Sequence, residues 1–154
     1  KYKESSNRPT QQYQMDDARR LRVWRLSGEV DPLEILHHLK AATKDPGFRP
    51  DYDVLVIFED RAELHGLNIE TLRHIREVAI ETRKSYQENR QRSAAMICPN
   101  QMALAIGRLY QAAGSADANF FLDYRICTNL ADASDWLKRD LSDLELPQYA
   151  LVET

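Results

Sequence analysis

One segment limits the fold of this chain more than any other: the run Tyr52 to Phe58, YDVLVIF. Apolar and β-branched residues follow one another here without the polar alternation of a strand that faces water. Such a run is typical of a strand covered on both faces, as in the parallel sheets of α/β proteins. Glu59 and Asp60 end the run. We therefore predict that it forms the middle of a sheet with helices packed on both sides.

The segments around this strand alternate between strand and helix patterns. Tyr13 to Asp16 and Arg20 to Ser27 are extended candidates that predict an opening hairpin, the second with Leu21 and Val23 alternating with arginine. Residues able to cap a helix N-terminus precede four stretches with helical apolar spacing: Asp31, Asn68, Asn100, and Thr128 or Asn129. We expect the second of these helices to reach about Gln91. Two further strands are predicted, over Ser93 to Cys98 and Asn119 to Ile126.

The predicted element order is ββαβαβαβα, which indicates a single-domain α/β fold. Its mixed, mainly parallel sheet begins with a β-hairpin and carries about four helices. A length of 154 residues fits one such domain. We divide the chain into a polar lead-in over 1–12, the domain over 13–140 and a tail over 141–154. The apolar tail should dock on its own domain or on a second subunit, so the protein is expected to be a monomer or a homodimer.

Composition excludes several classes of function. The 21 basic and 24 acidic residues give a net charge of -3, which provides no broad positive field for nucleic acid. No apolar run approaches the ~20 residues of a transmembrane helix. Cys98 and Cys127 form no CxxC motif, and the four histidines lack a metal-binding spacing. We therefore expect reduced thiols, no metal, no cofactor and a cytoplasmic location.

Candidate ligand-binding residues lie after the central strand and in the third helix. Open α/β sheets bind ligands beyond the carboxyl ends of their strands, which favours the loop that contains Asp60, Arg61 and His65. Asn100 follows the next buried strand, and Arg108 could hold a carboxylate or phosphate group. Its neighbour Gly107 costs roughly 1 kcal/mol relative to alanine within a helix, so we expect close packing against a neighbouring backbone, or space for a ligand.

Four segments in this order resemble the SpoIIAA-like family, which is related to STAS domains and to the CRAL-TRIO lipid-carrier fold. The segments are RLRVWRLSGEVD, FRPDYDVLVIFED, AAMICPNQMALAIGRLYQAAG and TNLADASDWL. The resemblance covers about Tyr13 to Leu137 and implies a compact α/β domain. It also implies a non-enzymatic module of the bacterial cytoplasm that binds a ligand or a protein partner.

The chain departs from the STAS pattern at one functional position. Anti-sigma antagonists of that kind carry a phosphorylatable serine at the start of the helix after the central strand, whereas this chain reads HGLN over 65–68. Thr71 is the nearest hydroxyl, one turn inside the predicted helix. A phosphorylation switch is therefore not expected. A partner-binding face could still lie around the start of this helix, at Gly66, Leu67, Asn68 and Glu70.

The sequence leaves three functions open. We favour a non-enzymatic module that binds a small amphipathic or lipid-like ligand, or a protein partner, with no catalytic residue. The first alternative is a STAS-type interaction regulator without the serine. The second is a small hydrolase or isomerase that uses Asp60 and His65 as acid and base.

Overall fold

A computed structural model describes residues 11–86, 91–115 and 122–144 of the chain. Five strands and four helices alternate along it. The strands are β1 (Gln11–Asp16), β2 (Leu21–Leu26), β3 (Asp53–Phe58), β4 (Arg92–Ile97) and β5 (Leu122–Cys127). The helices are α1 (Pro32–Thr43), α2 (Ile69–Ser85), α3 (Gln101–Ser115) and α4 (Leu130–Leu137).

The strands form one sheet in the order β1-β2-β3-β4-β5. β1 and β2 are antiparallel, and the remaining pairs are parallel. The predicted mixed α/β sheet with an opening hairpin and four helices is therefore confirmed. β3 occupies the middle position, as its continuous apolar sequence predicts.

The strand order determines which face of the sheet each helix covers. Three successive parallel crossovers run in the same direction across the sheet, and right-handed connections then leave their helices on one face. α1, α2 and α3 accordingly pack side by side, each in contact with the next. α4 follows the last strand and packs on the opposite face, against β4 and β5.

The face beneath α4 is closely filled. Leu55 and Ile57 of β3 are at most 2% exposed there, and Ala133 and Leu137 of α4 cover them. Leu141, the first residue of the expected tail, belongs to the same cluster and is fully buried. Leu144 packs beside it, and residues 145–154 lie outside the described part of the chain.

Local sequence signals account for the helix boundaries. Asp31, Asn68 and Asn129 each accept a hydrogen bond from a backbone N–H in the first turn of their helix, as predicted. α2 ends at Ser85 rather than near Gln91, and residue 91 already leads into β4. Within the described ranges, none of the helices is long and apolar enough to span a membrane.

Candidate functional site

The face beneath α1, α2 and α3 contains an apolar cavity of about 130 Å³. Its sheet side includes alternating residues of β2 and β3 together with residues of β4 and β5: Arg22, Trp24, Leu26, Val54, Val56, Phe58, Met96 and Leu122. Its helix side is formed by apolar residues of the three helices: Ile35, Leu39, Leu72, Ile75, Ala79 and Ile106. Tyr110 of α3 and Tyr124 of β5 bring phenol groups to the same space.

Two observations show that this space is not ordinary core packing. Val56 lies in the middle of the central strand, yet it remains only half-buried, whereas Leu55 beside it on the opposite face is 0% exposed. Protein interiors contain few voids larger than a water molecule. A space of about 130 Å³ is well above the roughly 30 Å³ that one water molecule occupies in the liquid.

Arg22 is the charged residue among the described residues that line the cavity. It lies on the same side of β2 as Trp24 and Leu26, and it is 8% exposed. Its guanidinium stands 5.3 Å from the centre of the Phe48 ring, a favourable cation–π contact. Within the described residues, its Nε has no hydrogen-bond partner. Burial lowers the pKa of Arg22 from its ordinary value, and the phenol of Tyr13 is the first of the groups that oppose this shift.

The two phenols that line the cavity are neutral at physiological pH. The rings of Tyr110 and Tyr124 meet edge to face with centroids 5.5 Å apart. Burial raises the pKa of Tyr110 to about 12 and raises the pKa of Tyr124 well above its ordinary value. Arg22 and Arg92 lower both of these pKa values, but burial has the larger effect. Both hydroxyls therefore keep their protons, and the Tyr124 hydroxyl donates its proton in a hydrogen bond to Tyr110.

The structure brings two of the predicted site residues together, Asp60 and Asn100. The Asn100 side-chain N–H donates to the backbone carbonyl of Asp60 at 2.8 Å and to its carboxylate at 3.0 Å. The Asn100 carbonyl oxygen accepts from the N–H of Ala103 at 2.9 Å and so caps α3. These contacts connect the ends of β3 and β4, so they have a clear structural role.

The other predicted ligand-binding residues are separate from the cavity. His65 is exposed and lies 3.9 Å from the Glu29 carboxylate, and Arg61 and Arg108 are exposed. The prediction for this loop relied on ligands binding where the strand order of an α/β sheet reverses. In this sheet the order never reverses. The loop after β3 therefore lacks the crevice that such a reversal creates.

The predicted partner face contains one residue of the cavity. Leu67 is 5% exposed and lines the cavity, whereas Glu70 is exposed. Asn68 and Thr71 form a capping box, in which the Asn68 side chain accepts from the Thr71 N–H and the Thr71 hydroxyl accepts from the Asn68 N–H. The Thr71 hydroxyl is thus already used in holding the start of α2.

Gly107 packs closely, but against side chains rather than a neighbouring backbone. A Cβ at this position would lie 3.1 Å from the sulfur of Cys98 and 3.5 Å from a methyl carbon of Ile126. The glycine therefore lets α3 approach β4 and β5. Both cysteines are free and buried. The described residues contain no group of three or more His, Cys, Asp or Glu side chains that could hold a metal ion.

Sequence reasoning did not identify Arg22, Tyr110 or Tyr124 as a site. The sequence did contain a signal for Arg22, because in RLRVWRL it lies on the same side of the strand as Trp24 and Leu26. The alternation with Leu21 and Val23 indicated a strand with one polar face, but β2 is covered on both faces. The two tyrosines meet only in the tertiary structure.

Comparison with known proteins adds no further constraint. No protein-family model, curated protein or solved structure matches this chain.

Proposed function

We propose that this protein binds a small amphipathic molecule in the cavity between the sheet and α1, α2 and α3. The observation that carries the proposal is the apolar cavity of about 130 Å³ between the sheet and the three helices. Binding sites for small molecules are mostly apolar and contain a few well-placed polar groups, and this cavity has that composition. A bound apolar group would supply the van der Waals contacts that the lining side chains lack.

The size of the cavity limits the ligand. An engineered apolar cavity of roughly 150 Å³ holds one benzene molecule. A ring or a short branched chain therefore fits, whereas a long acyl chain would need the helices to move apart. Membership of the SpoIIAA-like family, a cytoplasmic location and the absence of catalysis are part of the same proposal, and they rest on the sequence alone.

Toluene tests the proposal, because it probes the cavity without any polar group. Methyl signals in ¹H–¹³C NMR spectra should shift on titration for Val56, Ile75 and Ile106, which contact the cavity. Leu55 and Leu137 are the internal control, since they lie in the closely packed cluster on the opposite face.

Replacing Ala79, a small cavity residue of α2, by leucine should abolish the shifts. Shifts of similar size on both faces of the sheet, or none at saturating toluene, would contradict a binding cavity.

A further inference from the structure

We propose that the cavity selects a small monocarboxylate, with the carboxylate at the guanidinium of Arg22 and the apolar body between the sheet and the helices. This inference rests on the proposed function and names the chemical class of its ligand. Three observations support it: the polarity of the two ends of the cavity, the charge of Arg22 and the volume.

The strand register divides the cavity into a polar and an apolar end. Arg22, Val54, Ala94 and Tyr124 form one row across four neighbouring strands. At about 4.8 Å per strand, the backbones of Arg22 and Tyr124 are roughly 14 Å apart, with two short side chains between them. Two long polar side chains can therefore reach toward each other over Val54 and Ala94.

The next rows toward the carboxyl ends of the strands are apolar. Trp24 aligns with Val56 and Met96, and Leu26 aligns with Phe58. All five residues line the cavity. A ligand with one polar and one apolar end should therefore place its polar end at the Arg22 row and its body over these rows.

The charge of Arg22 selects an anion. A buried guanidinium without a counter-charge is costly, because burial removes its hydration. The groups that oppose the lowering of the Arg22 pKa are phenols, first Tyr13 and then Tyr124 and Tyr110. Neutral phenols do not balance a positive charge. A carboxylate would supply the balancing charge and accept hydrogen bonds from the guanidinium.

A single carboxylate fits this cavity better than a phosphate ester. One guanidinium lines the cavity among its described residues. A monoanion therefore gives a neutral pair, whereas a phosphate ester carries nearly two charges at pH 7. The volume adds the second limit, since a single ring or a chain of a few carbons fills it. Benzoate and short branched-chain carboxylates have this combination of size and charge.

Calorimetric titration of the 154-residue protein with benzoate and with benzamide distinguishes the effect of ligand charge on affinity from that of ligand shape, because the two molecules have nearly the same size. We expect benzoate to bind at least tenfold more tightly. In Arg22→Met, this preference should disappear while toluene still binds. Arg25→Met is the matched control, because Arg25 lies in the same strand but not in the cavity, and the preference should remain there.

Each outcome decides one claim. Failure of toluene to bind contradicts the proposed function. If toluene binds but wild-type protein does not prefer benzoate, or if Arg22→Met keeps the preference, only the carboxylate inference is wrong. Tighter binding of decanoate than of benzoate overturns the size class. If Arg22→Met does not fold, Arg22→Lys replaces it. This variant should bind benzoate several-fold more weakly, because lysine cannot form the two parallel hydrogen bonds of a guanidinium with a carboxylate. An unchanged affinity for benzoate overturns the role of Arg22.

Discussion

Filling the cavity should stabilise this protein, whereas the same substitution on the opposite face should destabilise it. Ala79 of α2 lines the cavity and is half-buried. Ala133 of α4 is 0% exposed and belongs to the closely packed cluster with Leu55. Both alanines lie in helices that cover the sheet, so helix propensity changes little and similarly in Ala79→Leu and Ala133→Leu.

The magnitudes follow from the local packing. Leucine adds three carbons, and burying them contributes about 2.4 kcal/mol at about 0.8 kcal/mol each. Fixing the leucine rotamer costs about 0.5–1 kcal/mol. Ala79→Leu should therefore gain about 1.5 kcal/mol, or raise Tm by roughly 3–6 °C. Ala133→Leu has no void to fill, and overpacking should cost about 1–3 kcal/mol.

Urea denaturation followed by tryptophan fluorescence measures both effects. Trp24 lines the cavity, and Trp136 lies on α4, so each face has a reporter. The reasoning fails if Ala79→Leu destabilises the protein as much as Ala133→Leu, because the space beneath α2 would then be unable to accept side-chain atoms.

Three further predictions concern the remainder of the fold. Leu55→Ala should lower the free energy of unfolding by about 2–5 kcal/mol in urea titration, since Leu55 is 0% exposed, and a loss under 1 kcal/mol would contradict its core position. Asn100→Ala should lower the free energy of unfolding more than Asn129→Ala in the same measurement, because both variants lose a helix cap of about 0.5–2 kcal/mol but Asn100 also donates hydrogen bonds to Asp60. Equal losses would contradict a stabilising role of the Asn100–Asp60 contact. Burial, with a smaller contribution from Cys127, raises the pKa of Cys98 to about 12, so a thiol reagent at pH 8 should modify Cys98 only after unfolding. Between about pH 9 and pH 12 the unfolded thiol loses its proton while the folded thiol keeps it, so the free energy of unfolding should fall as pH rises through this range.

The fold was predictable because its determinants are local. YDVLVIF marks the buried central strand within seven residues, and the capping roles of Asp31, Asn68 and Asn129 each depend on atoms within three positions. The strand order then follows from short crossovers of fixed handedness. The end of α2 was less predictable, since the charged sequence after Ser85 has no glycine or proline to stop a helix.

The candidate site was not predictable by the same means. The position of Arg22 in the cavity depends on both faces of β2 being covered, and the alternation of arginine with Leu21 and Val23 indicated the opposite. Tyr110 and Tyr124 meet only when α3 packs across β5. The ligand-binding prediction fell on the polar loop with Asp60 and His65 because polar and titratable residues can be identified in the sequence. A cavity depends on how distant side chains pack, and no local sequence pattern indicates it.

The strand order also determines when the cavity can form during folding. Every strand pairs with the next strand along the chain, so the sheet can grow from the β1–β2 hairpin without waiting for a distant segment. The cavity, however, needs β2 at one side and Tyr124 of β5 at the other. It is complete only when the last strand has joined. A ligand that binds there would therefore hold the final strand in place, and amide hydrogen exchange in β5 should slow when the cavity is occupied.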